Sequence, residues 1–152
     1  MDIAGLLSEE LRTLEAFVAL LQKEQALLAS GTSDGLSALA DQKSNAAIEL
    51  GRLAAQRDQE LTYLHLPPGR AGMDAWTLTD NGVASQRNWD RLLVLAAEAR
   101  AINEANGQAI ALNLKHNQQA LSVLMAAADR TATYGPDGQP QGGTGGRSLG
   151  SA

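Results

Sequence analysis

The chain has 152 residues, with 17 acidic against 12 basic side chains and a formal net charge of −5. Ala and Leu supply 27 and 24 positions, whereas there are four Val, four Ile and five aromatic residues, Phe17, Tyr63, Trp76, Trp89 and Tyr134. So few β-branched and aromatic side chains cannot fill the half-buried pleats of a sheet core, which excludes a sandwich, a barrel or a doubly wound sheet and leaves an all-α fold.

The length suits one domain that buries a core without disulfides or a metal. With no cysteine there is no disulfide frame, no thiolate zinc site and no thiol nucleophile. The opening MDIAGLLSEEL has acids at Asp2, Glu9 and Glu10 and no basic segment before an apolar run, unlike a secretory signal. No window approaches the roughly 18 to 20 apolar residues that span a bilayer, so the expectation is a soluble, cytoplasmic protein. Residues 1–66 carry ten acids and five bases, and residues 67–130 six of each. The negative surplus therefore belongs to the first half. Single scattered arginines do not make a phosphate-tracking surface, which argues against nucleic acid as a partner.

In chain order, the first predicted helix covers about 2–29. Leu7, Leu11, Leu14, Val18, Leu21, Gln25 and Leu28 alternate four and three apart as a heptad seam, widened by Ile3, Leu6, Phe17, Leu20 and Leu27 to a stripe suited to a bundle. Ser30-Gly31 should stop it, and Thr32, Ser33 or Asp34 offers an N-cap for the next helix. The short connection implies an antiparallel hairpin. The second helix is expected over 34–64, on a seam through Leu36, Leu39, Lys43, Ala46, Leu50, Leu53, Ala54, Leu61 and Leu64. Pro67-Pro68-Gly69 ends it.

The connection over 65–83 is long enough to hold structure of its own. Met73, Trp76 and Leu78 are expected to form a short turn that lids one end of the bundle, with Trp76 either a cap on the core or an exposed partner anchor. The third helix should run over 84–130, roughly 70 Å against roughly 40 to 46 Å for the first two. It would overhang the hairpin unless it bends at Asn106-Gly107, its one weak helix-forming pair. Beyond it, residues 131–152 hold seven glycines between Gly135 and Gly150, with Pro136 and Pro140, and read as a flexible tail.

Enzymatic chemistry finds no support. His65 and His116 stand apart from each other and lack Glu-x-x-His spacing. The acids are scattered, and no nucleophile has an adjacent base. Neither a catalytic centre, a metal site nor a cofactor is expected. The third helix is more specific. Leu92, Ala96, Ala99, Asn103, Asn106, Ile110, Asn113, Asn117, Ala120 and Leu124 keep the four-three spacing, so four asparagines share one seam. Either one or two of them fix the bundle's register while the others face water, or this face is left partly uncovered and binds an incoming helix through its amides. Ile110, Leu112, Leu114, Leu121, Val123, Leu124 and Met125 place apolar residues on more than one side of the helix. Any part that the short helices leave bare would be a binding surface for an amphipathic partner.

Three stretches together resemble the FlgN family of flagellar type III export chaperones over nearly the whole chain. They are LLSEELRTLEAFVALLQKEQALLA at Leu6 to Ala29, AINEANGQAIALNLKHNQQAL at Ala101 to Leu121, and YGPDGQ at Tyr134 to Gln139. The most specific elements are Asn103, Asn106 and Gly107 followed some thirty residues later by YGPDGQ. The resemblance implies a cytoplasmic chaperone that holds the helix-forming C-terminal ends of hook-associated (hook-filament junction) proteins and delivers them to the export gate. It implies client binding on the C-terminal part of the third helix, where the residues expected to carry it are Ile110, Leu114, Asn117, Leu121, Leu124 and Met125. It also implies docking of Tyr134 to the cytoplasmic domain of the export-gate membrane protein. The oligomeric state expected is a monomer or weak homodimer. The competing class is a scaffold bundle that oligomerises through its long helix.

Overall fold

The computed structural model describes residues 1–133, with side chains through Asp129. The element order is α1 (Ile3–Ser30), α2 (Leu36–Tyr63), α3 (Gly69–Trp76), a 3₁₀ turn (Val83–Ser85) and α4 (Gln86–Thr133). There is no strand among the described residues. The chain divides into two compact units, Met1–Ala109 and the part from Ile110 onward, with α4 contributing backbone to each. Tyr134 and nearly all of the expected tail lie outside the described residues.

Within the first unit, α1 and α2 form the expected hairpin. Asp2 caps α1, its carboxylate accepting the Gly5 N–H at 2.8 Å. Gly31 at φ 71° ends α1, with N–H groups of Gly31 and Thr32 returning to the carbonyls of Leu28 and Leu27. That left-handed step is one glycine adopts without a Cβ penalty. The start of α2 differs from expectation. Gly35, at φ 83°, takes the cap position, and no side chain caps the helix. Two left-handed glycines reverse the chain within five residues, which leaves Thr32, Ser33 and Asp34 exposed on the outside of the turn.

The core joins Ile3, Leu7, Leu14, Val18 and Leu21 of α1 to Leu61 of α2, Met73 and Trp76 of α3, and Trp89, Leu92, Leu95 and Ala99 of α4. Each fully buried aliphatic side chain contributes about 1.5 to 3 kcal/mol relative to exposure. The α1 seam departs from the heptad pattern twice: Glu10 is buried beside a half-buried Leu11, and Gln25 is exposed with Glu24 buried in its place.

The segment expected as a turn-bearing loop holds the eight-residue helix α3. Met73 and Trp76 are buried, so Trp76 is a core cap, while Leu78 is 83% exposed and takes no part in the lid. Three contacts fix α3. The Trp89 indole N–H donates to the Asp74 carboxylate at 2.7 Å, the Gly69 N–H donates to Asp58 at 2.9 Å, and Gly72 lies so close to Pro67 that a Cβ there would stand 1.7 Å from the Pro67 carbonyl oxygen. Before the prolines are reached, α2 has already ended in a Schellman motif. His65, at φ 60°, donates its N–H to the Thr62 carbonyl, and Leu66 donates to that of Leu61. The prolines then prevent resumption.

Two ion pairs join α1 to α2 in this unit. Arg57, on the seam between Leu53 and Leu61, pairs with Glu10 in the interior. Its guanidinium lies over the Trp89 ring, 5.4 Å from the centroid. Burial pushes the Glu10 carboxyl above its usual value by more than the neighbouring Arg57 charge and hydrogen bond draw it down. The second contact lies on the face that leads toward the candidate site.

Candidate functional site

The face of α4 that holds the first unit together ends in a polar clamp. Asn106 is 2% exposed and donates from Nδ2 to the Leu21 carbonyl and to Glu24 Oε1, each at 2.9 Å. Lys43 donates from Nζ to the same carboxylate at 2.9 and 3.1 Å and to Asn103 Oδ1 at 3.2 Å. Glu24 is thus held by one cation and one amide. That pairing is what lets a carboxylate replace Gln25 on the inward side, since a buried charge must be both neutralised and hydrogen-bonded. Asn103 and Asn106 therefore tie α4 to α1 and α2 at one register. Asn113 and Asn117 are exposed. Of the two readings open for the four asparagines, the first two fit register-setting and the last two do not.

No residue from Ile110 to Asp129 is buried. Ile110 is 45% exposed, Leu114 and Leu121 57%, Met125 60% and Leu124 66%. At about 100° per residue, these five and Asn117 fall within an arc of about 100° on the helix surface. All six expected binding residues thus share one face, an apolar stripe with a single amide at its middle. The arc matches the width of stripe that an amphipathic helix ordinarily buries. Leu112 and Val123, at 52% and 66% exposure, align with each other on the opposite side.

This arrangement can bind apolar helix surface, and it offers nothing for bond making. His65 and His116 are both exposed, and no group of three or more metal-ligating side chains occurs among the described residues. No helix among them is long and apolar enough to cross a membrane. Sequence reasoning missed the inward roles of Glu10, Glu24 and Arg57. For Arg57 there was a signal, a charged residue at i+4 from Leu53 and i−4 from Leu61. For Glu24 there was none, because Gln25 satisfied the heptad.

No solved structure matches the chain. The profile of the FlgN protein family matches residues 1–142. A curated relative from Yersinia enterocolitica, "Flagella synthesis protein FlgN", is 32% identical over 138 residues, covering 90% of this chain and 87% of the relative. A second, from Yersinia enterocolitica serotype O:8 / biotype 1B, carries the same name and shows the same identity and coverage. With the family matched across nearly the whole chain and relatives aligned over nine-tenths of it, the chain belongs to the FlgN family.

Proposed function

We propose that this protein is a cytoplasmic flagellar export chaperone, which binds the C-terminal helical segments of hook-associated junction proteins and delivers them to the type III export gate. The observation that carries this reading is the uncovered apolar stripe of α4, Ile110, Leu114, Leu121, Leu124 and Met125 with Asn117 among them. An exposed contiguous apolar face of this kind marks an interaction surface, and a helix laid on another helix's stripe is a familiar recognition mode. Family membership and the relatives' printed name, flagella synthesis, support the flagellar setting.

Function then follows from coverage. A client helix seated on the stripe hides its own apolar side from other copies, and the acidic surplus of residues 1–66 keeps the complex in solution. Release at the gate requires an interface of modest size, which one helix face provides. Tyr134, in YGPDGQ, is assigned to the gate's cytoplasmic domain on the family resemblance. An aromatic anchor offers a large contact with little side-chain entropy to lose.

Calorimetry with a junction protein from the same organism tests the reading. Leu114→Ser with Leu121→Ser should weaken binding at least tenfold, equivalent to about 1.4 kcal/mol. Tyr134→Ala should leave client binding intact and weaken binding to the gate domain. No client binding by the natural chain would overturn the proposal, and equal loss of both activities in Tyr134→Ala would overturn the division between stripe and tail.

A further inference from the structure

Asn117 stands inside the client stripe, and its counterpart in the chain is Asn106. The two are eleven residues apart on α4, three turns along and about 20° round the helix, so one line of the helix surface carries both. Their surroundings differ. Asn106 is buried and donates to the Leu21 carbonyl and the Glu24 carboxylate of α1. Asn103, one turn before it, accepts from Lys43 of α2. Asn117 is exposed, with the exposed Leu114 and Leu121 one turn to either side of it.

In the first unit, then, the helices that cover the asparagines of this seam also supply their hydrogen-bond partners. The same requirement falls on a client helix laid over Leu114 and Leu121. It seals the Asn117 amide from water between two leucines, and an amide left unpaired there weakens the complex about tenfold or more.

The charges of α4 narrow the partner. Glu24 is tolerated beside Asn106 because Lys43 neutralises it at 2.9 Å. In residues 105–128, Lys115 is the only Asp, Glu, Lys or Arg, and it points about 160° away from Asn117 round the helix. A client carboxylate set against Asn117 finds no cation on that face, and a client Lys or Arg finds no anion. A neutral group remains. Hydroxyls on helices turn back to their own backbone, as Ser8, Thr62 and Ser122 do here by donating to the carbonyls of Ala4, Asp58 and Gln118. A carboxamide reaches across, and it both donates and accepts.

Resting on the client-binding reading above, we infer that Asn117 selects the client by pairing with an Asn or Gln that interrupts the client helix's apolar stripe. The pair sets the register at which that helix lies along Leu114 and Leu121, as a buried seam asparagine does between paired helices. The client class is an amphipathic helix with one carboxamide within its apolar face. A helix whose apolar face is unbroken is rejected, because it leaves Asn117 dry and unpaired.

Calorimetry with a full-length junction protein tests this through the sign of an effect. Asn117→Leu makes the stripe wholly apolar, yet should weaken binding about tenfold, or about 1.4 kcal/mol, because the client's carboxamide is then the unpaired group. Asn113→Leu, about 20° outside the stripe's arc, should not weaken it. The carboxamides of the client's C-terminal helix are then replaced by Leu in turn. At one of them the natural chain should lose affinity about tenfold while Asn117→Leu loses none, a coupling that the double-mutant cycle reads directly. Unchanged or tighter binding by Asn117→Leu would overturn the inference and leave the chaperone proposal standing, whereas no client binding by the natural chain would remove both. Equal weakening by Asn113→Leu would overturn the assignment to Asn117. Self-association of the natural chain that disappears in Asn117→Leu would give the amide to a second copy and overturn the inference as well.

Discussion

Replacing Asn106 by Ala should destabilise the first unit by about 2 to 3 kcal/mol. Its amide makes two buried hydrogen bonds at 2.9 Å, one to the Glu24 carboxylate and one to the Leu21 carbonyl. A bond to a charged group is worth about 1.5 to 3 kcal/mol and one to a neutral acceptor about 0.5 to 1.5. The gain in helix propensity from Asn to Ala returns about 0.6 kcal/mol. Urea unfolding followed by tryptophan fluorescence isolates this unit, because Trp76 and Trp89 are both buried in its core. With a slope of about 1.5 kcal/mol/M, the midpoint should fall by about 1.3 to 2 M with the slope unchanged. Asn106→Asp should cost more at neutral pH, where it sets a second carboxylate against Glu24, and should recover as acid protonates the pair. Asn117→Ala, at an exposed position of the same seam, should stay within about 0.5 kcal/mol of the natural chain. Equal effects of Asn106→Ala and Asn117→Ala would refute the clamp.

Four further outcomes follow from the first unit. Arg57→Met should lower stability at neutral pH by about 3 to 5 kcal/mol, since it strands the buried Glu10 carboxylate; a denaturation midpoint near that of the natural chain would contradict it. Burial raises the Glu10 carboxyl above its usual value in the folded protein, so the folded state holds that proton to higher pH than the unfolded chain does. The stability linked to it is complete below the unfolded value and declines as pH rises through the folded one. Measured against Glu10→Gln, the natural chain should therefore lose stability across that window, and a gain would reverse the argument. His65→Gly should raise stability by about 0.5 to 1 kcal/mol, seen as a higher Tm, because glycine occupies φ 60° without strain. Gly72→Ala should lower Tm by several degrees, since the new Cβ would overlap the Pro67 carbonyl.

The candidate stripe was legible because it needs only the helical period. Once α4 is a helix, the spacing of Ile110, Leu114, Asn117, Leu121, Leu124 and Met125 places them on one face without reference to any other part of the chain. Their exposure was not legible. Leu124 and Leu92 are the same residue type on one seam, yet Leu92 is 6% exposed and Leu124 66%, and the difference lies in whether another helix stands opposite. The helix α3 escaped notice for a related reason. Its eight residues, GRAGMDAW, contain two glycines and a single turn of apolar spacing, too short for periodicity to declare itself and held by distant partners at Pro67, Asp58 and Trp89.

Helix content, the hairpin and the end of α1 at Gly31 follow from local chemistry: Leu and Ala at heptad spacing, a glycine where φ turns positive, prolines that cannot donate. Which polar side chains turn inward was settled by encounters across the fold. Glu10 meets Arg57 across 47 positions, and Glu24 meets Lys43 across 19 and Asn106 across 82. A buried charge is tolerable only where its counter-group arrives, and that arrival is a property of packing, invisible to any window of sequence.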